Sequence, residues 1–234
     1  MTLDKAIADA LRATSTGTIH TVLLKKGIRR TWMQGPRPTF HAGERLVGPA
    51  FTLRFVPARE DLATPESWSS PISTRAAIEA MPEGCIAVVD AMGVPGAGVF
   101  GDILCARMKK RGVQALVTDG VMRDGTGCEA TGLPIWCAGI AAPSSVTGLT
   151  FVGWNEAVGC GGVAVFPNDI IVADGDGAVV IPAAFVEDVA KAGPDQELLE
   201  MWIMKEVERG VALPGLYPMN AETRARYEAE MKKS

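Results

Sequence analysis

Residues 85–119 read CIAVVDAMGVPGAGVFGDILCARMKKRGVQALVTD and contain two short apolar runs, each of which ends in an aspartate. A glycine-rich loop and a helix-type segment at 103–111 separate the two runs, which lie at 85–90 and 115–119. Strands that alternate with helices pair in parallel, because the helix carries the chain back to the same end of the sheet. This stretch therefore predicts an α/β core.

The flanking segments extend this pattern in both directions. A further strand is expected at 46–56, a short helix at 74–81 and another core strand at 134–138. Short strands separated by tight turns are expected at 162–165, 170–173 and 178–181, so the second half is β-rich. Helices are expected at the N-terminus (Leu3, Ile7, Ala10 and Leu11 at helical spacing), at 183–209 and, after a loop at 214–218, up to Lys233. We predict one domain over residues 1–234, with a C-terminal helical extension from about residue 183.

Composition excludes several classes of protein. The 234 residues carry 27 acidic and 23 basic side chains, so no basic face for nucleic acid is expected. No apolar run approaches the roughly 20 residues of a spanning helix, and the N-terminus lacks the pattern of a signal peptide. Five cysteines without a C-x-x-C pair predict buried thiols. We expect a cytoplasmic protein with no membrane or nucleic-acid partner.

The residues that can carry chemistry follow two of the predicted strands. Ligands of open α/β sheets bind at the carboxyl ends of the strands. One strand leads through the glycine loop to Asp102, and the next leads to Arg123 and Asp124. The first turn of the helix at 103–111 would offer unpaired N–H groups to an anion. Two simpler interpretations stay open here, namely Asp102 as a helix N-cap and Arg123–Asp124 as a solvent-exposed turn pair.

These residues resemble the motifs of the 4-hydroxy-4-methyl-2-oxoglutarate/4-carboxy-4-hydroxy-2-oxoadipate aldolases, whose superfamily includes the RraA-like proteins, named for a regulator of ribonuclease E. The central motifs are Gly101-Asp102-Ile103-Leu104 and Asp119-Gly120-x-x-Arg123-Asp124, with twenty residues between Asp102 and Arg123. The likeness extends over about residues 15–218. It includes Gly48-Pro49-Ala50-x-Thr52, Phe166-Pro167-x-Asp169, the segment 177–182 and Gly215-Leu216-Tyr217-Pro218. The resemblance implies an RraA-like fold.

The same resemblance implies a divalent-metal lyase of the class II pyruvate aldolase type, which also decarboxylates oxaloacetate. Asp124 would ligate Mg²⁺ or Mn²⁺, and Asp102 would hold a metal-bound water or assist proton transfer. Arg123 would bind the small 2-oxo acid substrate. The substrate carboxylate would meet the backbone at the start of the helix, at Gly101, Ile103 and Leu104.

The chain departs from the family pattern at one position. The aldolase motif continues R-D-x-x-E/D, but residue 127 is Gly127 and the nearest acid is Glu129. The family also uses a glutamate on the C-terminal helix of a neighbouring subunit, for which Glu200 is the best match and Glu197 the alternative. The resemblance thus implies a homotrimer or a homohexamer.

Residue chemistry agrees with a hard metal ion. The chain has only two histidines, His20 and His41, which we expect in loops or at the surface, so oxygen ligands suited to Mg²⁺ or Mn²⁺ are favoured. A Schiff-base lyase is disfavoured, because Lys109 and Lys110 are predicted on an exposed helix face. Two alternatives stay open: an RraA-like regulator that binds an RNA-processing enzyme, and a metal-dependent sugar-acid dehydratase or hydratase, which the absent acid at Gly127 favours. Residues 60–71 are expected to contact the distal end of the substrate.

Overall fold

Helices and strands alternate along the first half of the chain, in a computed structural model that describes residues 3–232. The α-helices are α1 (Lys5–Arg12), α2 (Thr16–Lys25), α3 (Thr74–Ala80), α4 (Asp102–Lys110), α5 (Gly125–Ala130), α6 (Val186–Glu208) and α7 (Ala221–Met231). The strands are β1 (Arg37–Phe40), β2 (Leu46–Pro57), β3 (Ile86–Asp90), β4 (Ala115–Thr118), β5 (Val121–Met122), β6 (Ile135–Cys137), β7 (Gly139–Ile140), β8 (Leu149–Trp154), β9 (Ile170–Asp174) and β10 (Gly177–Ile181). The predicted helix end at Lys233 lies outside the described residues.

The main sheet has the order β1-β6-β4-β3-β2-β9-β10, and β8 pairs with β2. Its centre is parallel, since β2 pairs with β3, β3 with β4 and β4 with β6 in that sense. The strands β8, β9, β10 and β1 pair antiparallel with their neighbours. The predicted α/β class, with its parallel core, β-rich second half and C-terminal helices, is therefore confirmed.

Both faces of the parallel strands are buried. Ala87 and Val89 of β3 point into a core under α3 and α4, while Ile86 and Val88 point into a second core with Trp136. Successive side chains of a strand point to opposite faces, so a strand covered on both sides needs an uninterrupted apolar run. That requirement explains why the short apolar runs predicted the central strands well.

The structure corrects two local predictions. The prediction of a strand at 162–165 is wrong. Gly161 and Gly162 take positive φ values of 57° and 76° and end a short 3-10 helix there. Only Val165 of that segment forms a bridge, to Val158. His20 is not a loop or surface residue, because it is half-buried on α2, where its Nδ1 hydrogen-bonds Thr31 Oγ1 at 2.8 Å.

The cysteines and His41 agree with the prediction. All five cysteines are buried free thiols. His41 is an exposed residue outside the helices and strands. Along residues 3–232, no helix combines the length and the apolar character that crossing a membrane requires.

Candidate active site

The ends of β3 and β4 form one edge of the sheet, because the two strands are adjacent and parallel. Asp90 and Asp119, which lie at the ends of these strands, both hold the loop after β3 and the segment 159–161. The two oxygens of Asp90 accept from Met92 N and Gly159 N, both at 3.0 Å. Asp119 accepts from Ala91 N at 2.8 Å and from Gly161 N at 3.0 Å. Asp119 is buried, so its carboxyl group holds loops together and does not face solvent. Burial also raises the pKa of this group despite the two N–H donors.

The glycine loop packs directly on the segment that follows β4. Arg123 N donates to Phe100 O at 2.9 Å. A Cβ at Gly98 would lie 2.8 Å from Arg123 Cβ, and a Cβ at Gly101 would lie 2.5 Å from Asp124 Oδ2. At position 98 the close atoms belong to the Arg123 backbone and Cβ, so only glycine lets the two loops approach this closely. At position 101 a larger residue would instead displace the Asp124 carboxylate.

Arg123 and Asp124 form an ion pair at the surface of this edge. Arg123 Nε donates to Asp124 Oδ2 at 2.9 Å, and the two side chains are 37% and 42% exposed. Asp124 adopts φ 54° and ψ 47°, a left-handed conformation that is uncommon for residues other than glycine, at the start of α5. Such backbone strain clusters at functional sites, because the surrounding structure must hold it in place.

Asp102 is the first residue of α4, and Gly101 is the N-cap. The alternative in which Asp102 caps the helix is therefore wrong, since Gly101 is extended (φ −118°, ψ −174°) whereas Asp102 is already helical. Asp102 Oδ1 instead accepts from Ile103 N at 2.7 Å. The glycine cap supplies no side-chain acceptor to the other N–H groups of the first turn.

Main-chain N–H groups are therefore available beside the carboxylates. Within residues 3–232, those of Gly101, Asp102 and Leu104 have no hydrogen-bond acceptor. The amide of Ile103, which the sequence places with them, is occupied by the Asp102 carboxylate. Free amides at a helix start, together with the positive end of the helix dipole, suit a carboxylate ligand.

A cavity of about 250 Å³ joins these groups. Its polar lining includes Asp102, Arg123 and Asp124, which the sequence predicted, and also Thr74, Arg75, Ser144 and Ser145. Trp68, from the segment 60–71, closes one side.

Arg75 is the functional candidate that sequence reasoning missed. Its guanidinium lies 4.8 Å from the centroid of the Trp68 ring, and no carboxylate pairs with it along residues 3–232. Partial burial lowers the pKa of Arg75, as expected for a cation without a counter-ion. Nothing local in the sequence marks Arg75, because only the packing of α3 and the 3-10 helix Pro65–Ser69 brings it to the cavity.

The surroundings of Gly127 explain why this chain has no acidic side chain at that position of the R-D-x-x-E/D motif. A Cβ at Gly127 would lie 2.5 Å from Asp102 Oδ2 and 2.7 Å from Asp102 Cβ. Any side chain at position 127 would therefore force Asp102 out of the position that it occupies in the structure. Glu129 is two residues away, which corresponds to about 200° around a helix, and it does not line the cavity.

The two candidate glutamates of α6 lie outside this cavity within one chain. Glu200 is half-buried, and its Oε1 accepts from Gln196 Nε2 at 2.8 Å. Glu197 Oε1 accepts from Ser15 N at 2.7 Å. Burial alone would raise the pKa of Glu197, but the hydrogen bonds from Ser15 outweigh it and the pKa is lowered. Glu197 is thus engaged within its own chain, and Glu200 is the freer of the two.

The donor set fits a hard divalent cation that keeps most of its water. Residues 3–232 contain no group of three or more side chains arranged as metal ligands. Mg²⁺ is commonly held by one or two carboxylates with waters completing the shell. Asp124 offers such a ligand, since only its Oδ2 is engaged by Arg123 and the side chain faces the cavity.

The fold and the site together define an α/β protein with a small carboxylate–arginine pocket at the carboxyl edge of a parallel sheet. A family model described as "RraA-like: Aldolase/RraA" matches residues 5–180. The chain belongs to this RraA-like family.

Two curated relatives share part of the chain. A protein of Halalkalibacterium halodurans named "Putative 4-hydroxy-4-methyl-2-oxoglutarate aldolase" is 35% identical over 147 residues, which cover 62% of this chain and 64% of that protein. Protein DlpA of Legionella pneumophila is 27% identical over 171 residues, which cover 73% of this chain and 27% of that protein. The chain therefore spans less than two thirds of the length of either relative.

Solved structures show the same fold. Streptomyces coelicolor RraAS2, described as an unusual member of the RNase ES inhibitor RraA family, is 33% identical with a TM-score of 0.77 over 86% of this chain and 97% of that chain. A protein of Pseudomonas syringae has the same TM-score of 0.77 at 22% identity, over 93% and 99% of the two chains. At 22% identity, the likeness to the Pseudomonas syringae protein shows a shared fold alone.

Proposed function

We propose that the protein is a divalent-metal-dependent lyase that cleaves or decarboxylates a small 2-oxo acid through a pyruvate enolate. The observation that carries the proposal is the cavity in which Asp102, Arg123 and Asp124 converge beside unpaired main-chain amides. The RraA-like family and the similarity to a protein named as an aldolase support it.

Asp124 would hold the metal, Mg²⁺ or Mn²⁺, and Asp102 would hold one of its waters. The bound ion supplies Lewis acidity toward the carbonyl oxygen of the 2-oxo acid. Two arginines and two aspartates line the cavity, so their formal charges cancel. A divalent cation then leaves an excess of two positive charges, which a dicarboxylate substrate would balance.

The chain's own residues would bind and orient the substrate. The free N–H groups of Asp102 and Leu104 would donate hydrogen bonds to its 1-carboxylate. The guanidinium of Arg123 would face the oxygen that becomes negative when the carbon–carbon bond breaks. Arg75 would bind the distal carboxylate, with its orientation fixed by Trp68.

Cleavage leaves the electrons of the broken bond on C3 of the pyruvyl fragment, as an enolate. In retro-aldol cleavage, Asp102 acting through a water would take the proton of the C4 hydroxyl, and C4 would leave as a carbonyl. In decarboxylation, the fragment that leaves is CO₂. In both reactions a proton is then added to C3 and pyruvate is released, so one site can serve both.

We further propose that the protein is a homotrimer or homohexamer in which Glu200 of one subunit reaches the cavity of its neighbour. The cavity of a single chain contains no residue of α6, and Ile103 at its mouth is 79% exposed. An apolar side chain this exposed beside a polar site is suited to cover by another subunit.

The test is a screen of 2-oxo acids with Mg²⁺ or Mn²⁺ and pyruvate detection. We expect pyruvate from oxaloacetate or from a 4-hydroxy-2-oxo acid, and no pyruvate above the uncatalysed rate in EDTA. A 2-oxo acid product formed from a sugar acid by loss of water would instead support a dehydratase.

One observation favours a second function. The likeness to RraAS2 covers 86% of the chain at 33% identity, and that protein is described as a member of an RNase ES inhibitor family. An inhibitor would lower the cleavage rate of a ribonuclease E-type enzyme when added in stoichiometric amounts. Such inhibition, without turnover of any 2-oxo acid, would replace the lyase proposal.

A further inference from the structure

A second cavity, of about 610 Å³, lies between α2, the loop after it and the β9–β10 hairpin. It shares no lining residue with the candidate active site. Its size falls in the range of about 300–1,000 Å³ that is usual for metabolite and cofactor sites. The proposed lyase reaction uses none of its residues.

Hydrogen-bond donors dominate the polar lining. Arg29 and Arg30 both line the cavity, and neither guanidinium has a carboxylate partner along residues 3–232. His20 Nδ1 is bonded to Thr31 Oγ1 at 2.8 Å, which leaves Nε2 for a ligand. The N–H of Gly17, in the first turn of α2, has no acceptor among the described residues.

Two lysines of this region are already engaged. Lys26 Nζ pairs with Asp188 at 2.6 Å, and Lys25 Nζ donates to Gln196 at 3.3 Å. The cavity lining contains two unpaired arginines and one acidic residue, Asp176. The cavity therefore has an excess of positive charge even when His20 is neutral.

The apolar side chains that line the cavity are Trp32, Val163 and Val179. The indole N–H of Trp32 donates to Asp176 O at 3.0 Å, which holds the ring in place beside Val179. Gly162 also lines the cavity, and a Cβ at this position would have no neighbour within 4 Å. Arg37, which does not line the cavity, lies over the Trp32 ring at 5.9 Å from its centroid, so a planar ligand group would meet the ring from the cavity side.

We propose that this cavity binds a phosphomonoester, with the phosphate between Arg29 and Arg30 and the organic body beside Trp32. A carboxylate is satisfied by one guanidinium, whereas a phosphate dianion matches two forked guanidinium groups and further N–H donors. Inorganic phosphate fills only a small part of 610 Å³, so the remaining volume and the apolar side chains of the lining indicate an organic body.

The test is calorimetric titration of the full-length protein in EDTA, which keeps divalent metal away from the active site. The probes are adenosine 5′-monophosphate, ribose 5-phosphate, inorganic phosphate and adenosine. We expect the two esters to bind more tightly than inorganic phosphate, and adenosine not to bind. Absence of binding by all three phosphates would overturn the proposal and leave the lyase proposal unaffected.

Variants locate the site. Arg29→Ala and Arg30→Ala should each weaken ester binding by about 10-fold or more, since hydrogen bonds between charged groups contribute that much. Arg224→Ala, on α7, is the matched control, because this arginine is also exposed and has no ion pair within residues 3–232. Arg123→Ala should keep full ester binding. Loss of binding in Arg123→Ala with retention in the other two would place the phosphate in the active site and refute the proposal.

Chemical modification gives a readout that does not depend on folding of the variants. Phenylglyoxal should modify Arg29 and Arg30 in the free protein, and adenosine 5′-monophosphate should protect both, as mapped by mass spectrometry. Protection without any ligand would show that another subunit covers the cavity and would refute the proposal. Tight, salt-sensitive binding of an RNA oligonucleotide without binding of either ester would also refute it.

Discussion

Gly127 lies against the carboxylate of Asp102, and Gly127→Ala probes that contact. The added Cβ would lie 2.5 Å from Asp102 Oδ2 and 2.7 Å from Asp102 Cβ. Restoring an ordinary separation of about 3.5 Å moves the aspartate by about 1 Å. A displacement of that size costs an active site about 100-fold in rate. We therefore expect kcat/KM for pyruvate release to fall about 100-fold.

Stability should change much less. Alanine is better than glycine in a helix by about 0.5–1 kcal/mol, while overpacking costs about 1–3 kcal/mol. The net loss in unfolding free energy is then about 1 kcal/mol, measurable by urea denaturation. Gly125→Ala is the matched control in the same helix, because its Cβ would meet Ile140 Cδ1 at an ordinary 3.4 Å. Full activity in Gly127→Ala would refute the role of Asp102.

Three further changes test other parts of the account. Arg123→Ala should lower kcat by about 100- to 1,000-fold, as loss of an oxyanion-stabilising donor does, and steady-state kinetics showing an unchanged kcat would exclude that role. Arg75→Ala should raise KM for oxaloacetate with little change in kcat, and Arg75→Lys should restore part of the affinity; an unchanged KM in both would remove Arg75 from the site. Burial alone would raise the pKa of Asp174, but hydrogen bonds from Thr16 and Arg45 outweigh it and the pKa is lowered. Its stabilisation is present above the unfolded pKa of about 3.9 and is lost as pH falls through the lower folded pKa. Asp174→Asn should therefore lower Tm at pH 7, and the difference from wild type should shrink below about pH 4; a Tm difference that is independent of pH would contradict this.

The central fold could be predicted because its signals are local. The strands β3 and β4 are short, largely apolar runs, and the aspartates at their ends both hold the loop that follows β3. By contrast, the sequence patterns do not predict the helices α2 and α5. The sequence of α2, TGTIHTVLLK, contains one glycine and five β-branched residues, all of which have low helix propensity. Its apolar side chains, Ile19, Val22 and Leu23, are buried in a core with α6, and this tertiary packing stabilises the helix.

For the candidate site, too, some features could be predicted from the sequence and others could not. Asp102, Arg123 and Asp124 could be predicted because motif spacing and strand exits place them at one edge of the sheet. Their hydrogen bonds could not, since Asp102 binds the Ile103 amide and does not cap the helix. Arg75 and Trp68 reach the cavity through packing between segments, which no local pattern indicates. The role of Glu200 depends on a neighbouring subunit and stays a prediction, as does the domain division near residue 183.

The most direct test of the lyase proposal compares wild type and Asp124→Ala in Mn²⁺-dependent release of pyruvate from oxaloacetate, with the rate of Mn²⁺ alone subtracted. The Asp124 side chain is 42% exposed, so the variant should fold normally by circular dichroism. We predict a Mn²⁺-dependent rate in wild type that EDTA abolishes, and no rate above background in Asp124→Ala. Equal rates in the two proteins, or full wild-type activity in EDTA, would contradict the account.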